Sequence, residues 1–262
     1  LLFAHGTSDG GGGATARRLA AELLDMGGFA GVAVAFSRQP PHPAEALAAM
    51  AAHAAAGASG CAHVLVAPLL TCEGRLMRDT LPRLLASAPE FPQRTVLAPL
   101  GQNPAMAGLA SGLAEQAVAA AGLDPRQVAV LVAGHGSSVD PASARATRRL
   151  AADIAGRGVF AQVSAIFLAE APFATHWRRV APGRPVVVVP FFLSGGHHEE
   201  EDLSACLGLG HGKQAAADGQ PVWMTPPLGH HPALAGLIAR QAEDWSSEDW
   251  SSEDWSATRR DE

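Results

Sequence analysis

The chain repeats three phrases, in one order. LLFAHGTS at 1–8 returns as LVAGHGSS at 131–138. VLVAPLLTCEGRLMRDTL at 64–81 returns as VVVVPFFLSGGHHEEEDL at 186–203. APLGQNPAMAGLASGL at 98–113 returns as PPLGHHPALAGLIARQ at 226–241. Blocks that recur in a fixed order mark a duplicated unit. The repeat divides the chain into homologous halves, 1–122 and 123–242, each about the size of a small α/β domain.

Within each half, short apolar runs alternate with alanine-rich stretches. The runs are LLFAH, VAVAF, AHVLVAPLL and RTVLAPL, then QVAVLVAG, AQVSAIFL, PVVVVPFFL and PVWMTPPL. Segments such as ATARRLAAEL, PAEALAAMAAHAA and PASARATRRLAADIA separate them. Strands alternating with helices predict parallel βαβ units whose sheets are covered on both faces.

Composition narrows the function classes. The 262 residues are 48% hydrophobic, enough for a substantial core, and the net charge of −6 leaves no basic footprint for nucleic acid. No apolar run approaches membrane-spanning length. The chain opens inside a strand-like run, so no signal peptide is expected, and Cys61, Cys72 and Cys206 form no CxxC. A cytoplasmic enzyme is the expectation. Residues 243–262, with EDWSS repeating every five residues, present no continuous apolar face and read as a low-complexity acidic tail.

In parallel sheets, ligands gather beyond the carboxyl ends of strands. His5 and His135 fall there, with glycines around His135 that admit close approach. One such histidine ordinarily bonds its own turn; two at equivalent positions argue for a site. The second motif ends a buried strand in Ser194-Gly195-Gly196, followed by His197, His198 and four acids. Acids suit a first helical turn. If the helix starts near His198, Glu201 and Asp202 lie at i+3 and i+4, where a carboxylate beside an imidazole supports metal binding and proton transfer. Adjacent His197 and His198 should diverge, leaving one in the cleft. The first half has Arg75 and Leu76 at these positions, so the chemistry is expected in the second half. Arg75 and Arg78 become candidates for anionic substrate groups.

Together, GHGSSVDPASARATRRLAADIA, VPFFLSGGHHEEEDL and PPLGHHPALAGLI resemble the CbiX/SirB group of class II tetrapyrrole chelatases. The resemblance spans nearly the whole chain except the tail. It implies two flavodoxin-like, chelatase-like lobes with a cleft between them, and a lyase inserting Co2+, or Fe2+, into sirohydrochlorin. His135 and His198 would face the metal, with Glu201 or Asp202 orienting a histidine or relaying pyrrole protons. His5, Arg75, Arg78, Ser137 and Gly196 would line the substrate. No cofactor beyond the substrate metal is implied, and the partners are the tetrapyrrole and a divalent metal. The acidic segment that the family carries after its middle strand reads FLAEAPFATHW here, which leaves the counterpart of Glu170 open. Two rivals stand beside this expectation. One is a non-catalytic tetrapyrrole or metal carrier on the same fold. The other is an unrelated α/β enzyme using Gly10–Gly13 as a phosphate loop, although SDGGGGAT lacks the P-loop lysine.

Overall fold

The structure is a computed structural model. It describes residues 1–6, 13–55, 63–88, 93–194, 197–209, 214–217 and 219–247; the side chains of residues 197, 198, 214–217, 246 and 247 lie outside that description. Strands β1 (Leu2–Ala4), β2 (Val34–Phe36), β3 (His63–Pro68) and β4 (Gln93–Val96) form one sheet. Strands β5 (Ala129–Gly134), β6 (Gln162–Phe167), β7 (Val186–Pro190), β8 (Gln214–Ala217) and β9 (Gln220–Met224) form the other. Helices α1 (Ala14–Met26), α2 (Pro43–His53), α3 (Leu81–Ala86) and α4 (Met106–Ala120) belong to the first half by sequence. Helices α5 (Ala142–Ala155), α6 (Trp177–Val180), α7 (His197–Leu207) and α8 (Leu234–Ser247) belong to the second.

The sheet orders are β2-β1-β3-β4 and β6-β5-β7-β9-β8. Apart from β8, all pairings are parallel and the two orders are equivalent, as expected of two flavodoxin-like lobes. β8 is an addition that the apolar pattern did not predict. It pairs antiparallel with β9 through Gln214–Ala217, a short QAAA segment without β-branched residues.

β5 and β7 are buried at every position, which is why they read as continuous apolar runs. One core cluster joins both sheets through Leu19, Met106, Leu150, Val189 and Ile238. The last helix of each half crosses to the other. α4 packs on β7 and beside α5, while α8 packs beside α1. Gln241 in α8 also donates to the Ala98 carbonyl at 2.9 Å. Residues 106–120 thus belong to the first half by sequence and to the second sheet by packing. α8 continues through Ser247, five residues into the stretch read as tail, and Trp245 packs against the core with its ring 4.6 Å from that of His63. Residues 248–262 lie outside the described chain.

Candidate active site

Each sheet changes direction around its first strand: helices leave on opposite faces, and the carboxyl ends of β1 and β3, or β5 and β7, open a crevice. His135 follows β5, and His197 and His198 open α7 after β7, the neighbouring strand. Sequence distance therefore vanishes at the end of the sheet. The His198 side chain and Gly196 lie outside the described residues, as do residues 7–12 of the glycine loop.

The turn after β5 is held tightly. Gly136 has φ +72°, and a Cβ there would come 2.8 Å from Glu170 Cγ. Glu170 Oε1 accepts the Ser137 N–H at 3.3 Å. The Ser137 hydroxyl oxygen in turn accepts the N–H groups of Val139 and Asp140, at 3.1 and 3.0 Å. His135 Nδ1 lies 3.0 Å from the Gly136 carbonyl. A carbonyl only accepts, so Nδ1 carries a proton, and in the neutral tautomer the lone pair is on Nε2.

Glu199, in the first turn of α7, is close enough to His135 to feel its charge. Burial pushes its carboxyl above the ordinary glutamate value; His135 opposes that shift, while Asp202 and Glu200 add to it. Glu200 points elsewhere, 3.9 Å from His230 Nε2. Glu201 and Asp202 are exposed in the same helix. Spacing counted from His198 favours those two as its neighbours, and the His198 side chain lies outside the described residues; Glu199 is an acid of α7 that the spacing did not single out and that feels the His135 charge.

The first lobe repeats this turn. Gly6 has φ +71°, and a Cβ there would come 2.8 Å from Gln39 Cγ. Arg38 N–H donates to the His5 carbonyl at 3.0 Å, as Ala169 N–H donates to that of His135 at 2.8 Å. Gln39 and Glu170 are therefore counterparts, an equivalence the two sequences, FSRQ and FLAE, do not reveal. The Ser37 hydroxyl donates to the His5 carbonyl at 2.9 Å and sits 3.1 Å from His5 Nδ1, so Nδ1–H donates to it. Burial lowers the His5 pKa first, then Arg38 and His135 lower it further; the two strand-end histidines thus share one electrostatic environment across the lobes.

Arg75 and Arg78 lie where the lobes meet. Asp140 Oδ2 accepts the Arg75 N–H at 2.9 Å and Arg78 NH2 at 3.1 Å. Arg78 NH1 also donates to the Glu73 carbonyl at 2.6 Å, and the exposed Arg75 side chain lies 3.6 Å from Asp79. The PLG turns buttress both strand ends. Gly101 N–H donates to Leu70 and Gly229 N–H to Phe192, at 2.9 and 2.8 Å. A cavity of about 600 Å3, lined by Leu1, Val32, Met50 and Trp245, lies at the opposite, amino ends of the first-sheet strands, away from the histidines.

The CbiX family profile matches residues 1–117 and again residues 129–245. A probable sirohydrochlorin cobaltochelatase of Halobacterium salinarum is 30% identical over 119 residues, which span 43% of this chain and 41% of that protein. The solved structure of CbiX described as the terminal enzyme of siroheme biosynthesis in denitrifying bacteria superposes with a TM-score of 0.71 at 29% identity, covering 93% of this chain and 97% of that one. SirB from Bacillus subtilis, solved with Fe3+, shares the fold at 17% identity, with a TM-score of 0.70 and 94% of each chain covered. With the profile matched in both halves, this chain belongs to the CbiX family.

Proposed function

We propose that this protein is a sirohydrochlorin chelatase that inserts Co2+, or Fe2+, and that its second lobe does the chemistry. The observation that carries this is the His135 turn: an imidazole with Nδ1 tied to the Gly136 carbonyl, Nε2 left open, and Glu199 close by. The CbiX relative at 29% identity, the terminal enzyme for biosynthesis of siroheme in denitrifying bacteria, supports the substrate class.

Metal insertion exchanges two pyrrole N–H protons for one divalent cation. The chain must present a lone pair to the cation, accept protons and hold the ring still. Nε2 of His135 suits the first task, joined by His198 from the start of α7. Glu199, with its pKa raised by burial, is a better proton acceptor than an ordinary glutamate. Glu170, fixed against Gly136 and Ser137, adds negative charge beside the histidine. Glu201 and Asp202, exposed further along α7, suit passing protons outward.

Anaerobic incubation with sirohydrochlorin and each of Co2+, Fe2+ and Ni2+, followed by ring absorbance, tests this. A metal-dependent spectral change with repeated turnover is expected. Ring binding without turnover would instead make the protein a tetrapyrrole carrier.

A further inference from the structure

The two strand-end sites share a backbone plan but differ in charge. Backbone hydrogen bonds to the His5 and His135 carbonyls make Arg38 and Ala169 counterparts. Packing against Gly6 and Gly136 makes Gln39 and Glu170 counterparts. Where the second half reads HHEEED at 197–202, the first reads RLMRDT at 75–80. The second lobe thus has a carboxylate where the first has an amide, and acids where the first has Met77 and Arg78. The first lobe also adds a guanidinium where the second has a methyl group. The second strand-end site is therefore the more acidic of the two, with Arg148 3.9 Å from Glu170, and the first carries Arg38 where the second has no charge.

Arg38 is placed to use that difference. It is exposed, and among the described residues its guanidinium makes no ion pair or hydrogen bond. Arg78, by contrast, is committed to Asp140 and to the Glu73 carbonyl. The Arg38 charge reaches the site, since it helps hold His5 below its ordinary pKa. A guanidinium fork meets a carboxylate through two charge-assisted hydrogen bonds.

We infer that the first lobe has exchanged a metal-type site for a carboxylate-binding site, in which Arg38 anchors a peripheral carboxylate of the macrocycle. This rests on the chelatase reading and deepens it. The anionic edge of the ring is held on the first lobe while its nitrogens face His135. Arg38 acts on ring binding, not on the exchange of protons for metal.

The test uses the full-length protein, with Arg38→Gln and Arg38→Lys, each checked for unchanged melting. Binding is titrated by absorbance with metal-free sirohydrochlorin, with uroporphyrin (an octacarboxylate) and with its octamethyl ester. Arg38→Gln is expected to weaken both acids roughly tenfold, the scale of one charge-assisted anchor, and to leave the ester unchanged. Its affinity for the acids should also become less sensitive to salt. The KM for the ring should rise while the KM for metal and kcat stay within about twofold of wild type. Arg38→Lys, which keeps the charge but not the fork, should fall between. Acid binding within about twofold of wild type in Arg38→Gln, or an equal loss for the ester, would overturn the inference. If wild type metallates the ring and Arg38→Gln matches it throughout, the inference alone falls. If wild type binds no carboxylated ring, the chelatase reading falls with it.

Discussion

Asp140 of the second lobe accepts a hydrogen bond from Arg78 of the first at 3.1 Å, through the same carboxylate oxygen that accepts the Arg75 N–H. Asp140 belongs to the loop that carries His135, and its other oxygen accepts the Ala142 N–H at the start of α5 at 2.9 Å. That bond is the main reason its pKa is lowered; desolvation opposes it, and the Arg75 N–H bond and the Arg78 charge lower it further. One carboxylate therefore joins the lobes and ties the loop after His135 to the start of α5.

Asp140→Ala should lower the melting temperature by a few degrees, more than Arg78→Ala, because the Asp140 carboxylate also accepts the Arg75 and Ala142 N–H groups. The double variant should lose less stability than the two singles combined. Full additivity, measured by thermal unfolding, would mean that the two residues do not act as a pair.

The PLG turns provide a paired experiment. A Cβ on Gly229 would come 2.6 Å from the Leu193 carbonyl oxygen, and one on Gly101 would come 2.5 Å from Thr71 Cα. Each alanine variant should cost ~1–3 kcal/mol through backbone displacement. Only Gly229→Ala should also impair insertion strongly, since Leu193 leads directly into the start of α7. Equal loss of activity at matched stability would contradict the asymmetry between the lobes.

Truncation after Ser247 should leave the melting temperature unchanged. Truncation after Ala242 removes the last turn of α8 and Trp245, a half-buried ring against His63, and should cost about 2 kcal/mol. Denaturant unfolding of both shortened chains checks this.

His5 tests the electrostatics. Burial, with Arg38 and His135 adding to it, holds its folded-state pKa below the ordinary value. The unfolded chain therefore binds the proton first as pH falls, and His5 costs stability on acidification below ~6.5. His5→Gln should flatten the stability profile between there and the depressed folded pKa. An NMR titration should find the His5 ring titrating below ~6.5 and moving upward in Arg38→Gln. A His5 ring titrating above that value would contradict the charge arrangement.

Much of the architecture was legible because it rests on burial. β5 and β7 are covered on both faces, so their apolar runs identify them, and the ordered repeat already implies two lobes. β8 escaped because QAAA has no strand-forming pattern and is defined only by its pairing with β9. The end of α8 escaped because a five-residue repeat has no helical face of its own, while its first copy simply prolongs an existing helix. At the site, His135 was legible from its position after a strand. The approach of Glu199 to His135 was hidden because it depends on how α7 packs over the end of β5, and Arg38 and the Gln39–Glu170 equivalence by loops whose likeness lies in backbone hydrogen bonds.

The central claim is that two lobes of one ancestry have divided their labour, with metal chemistry in the second. Anaerobic Co2+ insertion into sirohydrochlorin, compared in His135→Ala, Glu170→Gln and His5→Ala proteins of matched stability, tests it directly. His135→Ala should lower kcat about a hundredfold or more, Glu170→Gln should lower it less, and His5→Ala should act mainly on the KM for the ring. A His5→Ala protein that loses turnover while His135→Ala retains it would assign the chemistry to the first lobe and contradict the account.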